Sequence, residues 1–183
     1  LALARERAKA TANVNFIEGD AGAAQIAAAP FDAIFSRFGT MFFGDNEAAF
    51  ARLRENLTPG GRMIFVCWRA FDENIWASAP LAALAPLLSE PVAPPDPNAP
   101  GPFALADRSK IERILTASGW RSVSIAPWDG ALAVGGGGDA QSAAGFLLKI
   151  GPCARAVADQ EVDRDAAIRV LSEFLAKHQS GAG

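Results

Sequence analysis

The sequence predicts an α/β fold with a mostly parallel sheet and flanking helices, on three observations. Short runs rich in β-branched and aromatic residues recur at 14–20 (VNFIEGD), 31–36 (FDAIFS) and 63–68 (MIFVCW). A segment of helical period separates the second run from the third. The third is apolar without alternation, as in a strand covered by helices on both faces of a parallel sheet.

The elements follow in order. Residues 1–12 mix Leu and Ala with Arg5, Glu6, Arg7 and Lys9, a helix-forming composition that Asn13 stops. Asp45 is placed to cap a helix with Phe50, Leu53 and Leu57 on its apolar face, and Pro59, Gly60 and Gly61 predict a turn before the 63–68 strand. Residues 73–90 read as helical. The stretch 91–102 (PVAPPDPNAPGP) holds half of the chain's prolines and reads as a stiff, extended flap. Asp107 caps a further amphipathic helix bearing Ile111, Ile114 and Leu115, ended by Gly119, and a strand resumes at 123–125 (VSI). A glycine run at 135–138 then leads to helices at 140–150 and 163–178, the last with Ile168, Leu171 and Leu175 as its buried stripe and Val170 and Phe174 beside it. The segment is expected to form one domain over 1–183, with 70–102 a helical and Pro-rich flap and 139–183 the C-terminal helices.

Composition narrows the function. With 183 residues, 50% hydrophobic and 20% charged, the chain has enough apolar material for a folded core. A net charge of −3 and a pI near 5.2 disfavour nucleic acid or an anionic membrane as partner and favour a small molecule of little charge. Cys67 and Cys153 are too few and too far apart for a disulfide framework or a metal knuckle, and no apolar run reaches bilayer length. A cytoplasmic location without metal is the expectation; oligomeric state is not readable. Cys67 sits in an apolar strand as a small hydrophobe, and His178, near the end of the last helix, reads as a partner of its dipole rather than a catalyst. No residue stands out as a catalytic acid or base.

The succession FIEGDA (16–21), FDAIFSRFGTMFF (31–43) and LRENLTPGGRMIFVCW (53–68) resembles the later half of class I S-adenosylmethionine-dependent methyltransferases of small-molecule type. The likeness covers roughly residues 1–130. It implies a Rossmann-like sheet and S-adenosylmethionine as cofactor. It also implies an incomplete fold: the first two strands, with their glycine-rich loop, and the last strand are missing from the segment, which opens inside a helical run without Met. Strand 14–20 is then left without its neighbours, and the segment alone is expected to be inactive.

The resemblance also assigns residues. Asp20 would accept from the adenine amine and the Ala21 N–H would meet the ring; the alternative for Asp20 is a solvated turn acid. The Ser36 and Arg37 backbone would contact the methionine part, with the Arg37 side chain near the carboxylate or substrate; the alternative for Arg37 is a surface ion pair. Phe38, Met41, Phe42, Trp68 and Trp76, with Phe43 beside them, form an aromatic and apolar set that would line the acceptor pocket or else be core. Methyl transfer from a sulfonium is an in-line displacement, so alignment and desolvation suffice without a dedicated base. A second reading is a catalytically inactive Rossmann-like binding or scaffold module. A third, a nicotinamide-dependent oxidoreductase, rests on Gly135, Gly137 and Ala140 matching a G-x-G-x-x-G/A pattern. Four successive glycines satisfy many patterns, however, and only a three-residue apolar run precedes them.

Overall fold

The structure, a computed structural model, describes residues 1–136 and 138–178. Gly137 of the dinucleotide-like pattern lies outside them. The chain divides into two compact units: Leu1–Phe35, Asp45–Ile64 and Glu112–Val123 form the first, and Ser36–Gly44, Phe65–Ile111 and Ser124–Gly183 the second.

The first unit is built on the pairing of β1 (Phe31–Arg37) with β2 (Leu57–Val66), each strand passing its last residues to the second unit. The two strands make a two-stranded sheet. Phe31 N–H donates to the Asn56 carbonyl at 2.8 Å and Phe38 N–H to that of Val66 at 3.0 Å; the acceptors advance with the donors, so the pair is parallel. β2 uses 10 residues where β1 uses 7. The excess is taken up at Pro59-Gly60-Gly61, which therefore lies inside β2 and is no turn before it. Gly60 has φ 85°, a conformation a bulge needs and a side chain resists. At Gly61 a Cβ would fall 2.9 Å from Leu57 Cβ.

Helix α1 covers Ala2–Arg7, shorter than the 1–12 expected. Helix α2 (Asn46–Glu55) starts where Asp45 Oδ1 accepts from Ala48 N–H at 3.0 Å, and it buries Ala49, Phe50 and Leu53; Leu57 belongs to β2 instead. Buried Asn56 joins helix to strand. Its Nδ2 donates to the Ala24 and Arg52 carbonyls at 3.3 and 3.1 Å, and its Oδ1 accepts from Ile26 N–H at 3.3 Å. Helix α4 (Arg108–Ala117) begins at Asp107, whose Oδ1 accepts from Ser109 N–H at 2.8 Å. It ends in a Schellman motif: Gly119 has φ 83°, its N–H donates to Thr116 and the Trp120 N–H to Leu115. Trp120 Nε1 donates to the Phe50 carbonyl at 3.0 Å, tying this end to α2.

Two expected strands are not strands. Residues 14–20 and 123–125 have no ladder, and Val14, Ile17 and Val123 are exposed. A strand needs a partner for its backbone groups, and neither stretch has one among the described residues. On the sheet itself Phe35 is 71% and Ile64 64% exposed.

The second unit is mainly helical: part of α4, then α3 (Ile75–Leu84), α5 (Ala140–Leu147), α6 (Gly151–Asp159) and α7 (Arg164–Ala176). Leu84, Ala144, Leu147, Leu148, Cys153, Val157, Ala167 and Leu171 form its core, with Ile168, Val170 and Leu175 packed against it. The expected α7 stripe is thus confirmed except that Phe174 turns to the His178 ring, 4.5 Å away, and Ala167 takes a core place. α3 is shorter than 73–90 because Ala85–Leu87 tightens into a 3-10 turn. α5 stops at Leu147, and α6 was not anticipated, although Pro152 in its first turn is a recognised start signal.

Gly151 opens α6 at φ 76°, with the Trp76 ring 3.4 Å from where a Cβ would sit. Gly151→Ala is expected to cost about 1–2 kcal/mol, from the left-handed backbone alone, read by urea denaturation. Burial pushes the Cys153 thiol up to about 12. Its unfolded-state value is lower, so the unfolded chain releases this proton first. Stability should fall as pH rises from about 9 towards 12, and Cys153→Ala should flatten that slope. An unchanged slope would remove Cys153 as its origin.

Candidate functional site

The site lies in the second unit, at the carboxyl end of the strand pair, where ligands of open α/β sheets bind. β1 ends at Arg37, and Phe38 follows with φ 58°. That left-handed conformation is unfavourable for a bulky residue and persists where surroundings over-determine it. Here the Phe38 N–H is held by the Val66 carbonyl, and its ring stacks on Trp68 at 4.1 Å and 11°. The next residue is close-packed: a Cβ at Gly39 would come 3.1 Å from Ser36 Oγ, which would have to shift slightly.

The chain then makes a 3-10 turn, Thr40–Phe42, with Thr40 and Met41 buried. Met41 ties three segments together. Its Sδ accepts from Trp68 N–H at 3.4 Å and its carbonyl from Gly101 N–H at 3.0 Å, which fastens the end of the Pro-rich stretch to the turn. From Phe38 the aromatic contacts continue: Trp68 to Trp76 at 5.0 Å, Trp76 to Phe103 at 6.4 Å, and Phe103 edge-on to Phe71 at 5.5 Å. Asn74 supports the loop between Trp68 and Trp76, its Nδ2 donating to the carbonyls of Arg69 and Ala70 at 3.1 and 2.8 Å. Arg69 pairs with Glu73 at 3.0 Å and Asp129 at 2.8 Å. Two buried polar atoms of this region, Thr40 Oγ1 and Trp76 Nε1, have no hydrogen-bond partner among the described residues. Such groups call for a partner that a ligand or water can supply. Burial also raises the pKa of Cys67, whose Sγ donates to the Leu105 carbonyl at 3.5 Å, so it stays a neutral thiol and no nucleophile.

The structure brings Phe38, Met41, Trp68 and Trp76 together as expected, while Phe42 is exposed and stands outside the stack. Arg37 makes no ion pair among the described residues; its guanidinium lies 5.8 Å from the Phe38 ring centroid. Asp20 and Ala21 belong to the first unit and are exposed. Asp20 Oδ1 accepts from Gly22 N–H at 2.8 Å, and its carbonyl accepts from Ala23 and Ala24 N–H, so the acid shapes a turn. Its second oxygen is left for another donor. His178 Nδ1 donates to the Phe174 carbonyl at 2.9 Å, as a helix-end partner does. Sequence reasoning missed Thr40, Phe71 and Phe103. No spacing rule joins Phe103 to Trp76, although its position after the proline run, at the flap's far end, was a usable signal.

Taken singly, Asp20 keeps a carboxylate oxygen that could accept from an amine and Arg37 a cation that could meet a carboxylate. No described glycine-rich loop follows a strand, as S-adenosylmethionine would need: Val134–Gly136 is a 3-10 turn after an irregular run. Among the described residues no group of His, Cys, Asp and Glu could hold a metal, and no helix is long and apolar enough to cross a membrane.

Residues 1–61 match the family model of a methyltransferase domain, a span that takes in Asp20, Ser36, Arg37 and Phe38. No curated protein and no solved structure gives a match.

The strain and the stack at Phe38 can be separated. Phe38→Ala should lose the ring contact and keep the unfavourable φ, whereas Phe38→Gly loses the ring but relieves the backbone by about 1 kcal/mol. The glycine variant is therefore expected to be the more stable of the two in urea, both lacking the wild-type near-ultraviolet signal of Trp68.

Proposed function

We propose, from the match of residues 1–61 to the model of a methyltransferase domain, that the protein takes part in methyl transfer from S-adenosylmethionine to a small-molecule acceptor. That match carries the reading, because it spans the strand end at which the aromatic run begins.

In this reading Asp20 accepts a hydrogen bond from the adenine amine through its uncommitted oxygen, and the Ala21 N–H faces the ring. The Ser36 and Arg37 backbone holds the methionine portion, and the exposed Arg37 guanidinium pairs with its carboxylate. The cofactor supplies an electrophilic methyl group on a sulfonium. Phe38, Met41, Trp68 and Trp76 exclude water from the acceptor side and seat it in line; Trp76 Nε1, without a partner among the described residues, orients it by donating to an acceptor atom. Phe42, though exposed, is assigned to the same acceptor side. No side chain is needed to hold a transferred proton. The acceptor is a small molecule, with neither nucleic acid nor membrane as partner, and the location is the cytoplasm.

The test is calorimetric titration of S-adenosylmethionine into the protein. Binding is expected, and Asp20→Asn should weaken it roughly tenfold, the scale of one hydrogen bond to a charged group. Unchanged affinity in that variant would remove the adenine assignment, and no binding in the wild type would sink the reading.

A further inference from the structure

Beyond the aromatic run lies a groove of about 330 Å³, lined by Ala70, Phe71, Asp72, Phe103, Ala106 and the prolines 94, 95 and 97. That volume is at the lower end of small-ligand sites. Its chemistry is one-sided. Phe71 and Phe103, edge to face, form an aromatic floor, and the prolines offer flat apolar rings but no N–H donor. The Pro97 carbonyl already accepts from Lys110 Nζ. The Lys110 ammonium is thus engaged from outside the lining, and Asp72 is the one charged residue among the described lining residues, with no ion pair among the described residues. A site with an aromatic floor, no proline donors and one free acid selects a flat apolar body carrying a cationic donor, and disfavours an anion.

We infer that this groove binds an aromatic amine in its protonated form, the ring against Phe71 and Phe103 and the ammonium at Asp72. The geometry alone carries this, and it goes beyond the methyl-transfer reading. Phe103 also contacts Trp76, so the groove shares a wall residue with the aromatic run.

Ligand-observed NMR titration with tryptamine, indole and indole-3-propionate tests it, without cofactor. Tryptamine is expected to bind most tightly. Asp72→Asn, at an exposed position, should weaken tryptamine about fivefold, the upper range for an exposed charge pair, and leave indole unchanged. Phe71→Leu should weaken both by a similar factor through the lost aromatic contact, with circular dichroism confirming the fold of each variant. Equal binding of indole-3-propionate, an Asp72→Asn variant with wild-type tryptamine affinity, or no binding of tryptamine would overturn the inference. The outcome is independent of the cofactor titration: S-adenosylmethionine binding without tryptamine binding defeats the groove alone, and the reverse defeats the methyl-transfer reading alone.

Discussion

Every feature of the strand region depends on backbone pairing. A strand exists only where its N–H and C=O groups meet a partner, and in this chain β1 and β2 are partners of one another. That one ladder sets the direction of the chain at Arg37 and at Val66, and so sets where Phe38 and Trp68 can stack. It also explains the absences. The stretch VNFIEGD has strand composition and no ladder, so its Val14 and Ile17 face solvent. A parallel pair is ordinarily covered on both faces; Phe35 and Ile64 show what such a pair looks like when it is not.

Within the second unit, the aromatic run is organised by hydrogen bonds to main-chain groups. Met41 takes hydrogen bonds from the main chain of Trp68 and Gly101, and Asn74 takes up the carbonyls of the loop between the two tryptophans. These fix the rings, and the rings in turn hold Phe38 at a positive φ that its own chemistry opposes. The orphaned Thr40 hydroxyl and Trp76 indole lie in the same unit, the combination of apolar walls and a few unsatisfied polar groups that small-molecule sites share.

The candidate site was legible where it rests on consecutive residues. The strand end SRFG, with Met41 just after it, and Trp68 at the end of the next strand run follow from a strand run and its boundary. Phe103, Phe71 and Asp72 were not legible as a site, because three separate segments meet there and no sequence period links them. Asp20 shows the opposite case: a turn-forming carboxylate and a ligand-binding one have the same local sequence, and the Gly22 N–H bond is compatible with both, since a carboxylate has two oxygens.

By itself the sequence determined the local elements whose signals lie within a few residues: the Asp45 and Asp107 caps, the Gly119 stop and the apolar face of α7. These depend on near-neighbour geometry and survive any tertiary context. The tertiary structure alone decided which strand-like runs became strands, because pairing is a property of two segments. It decided too that Pro59-Gly60-Gly61 would be absorbed into β2 as a bulge instead of ending it, since β1 is the shorter strand and the ladder had to accommodate the excess. And it decided that the residues after the proline run would close an aromatic groove, because the ring contacts that make it join positions far apart in the chain.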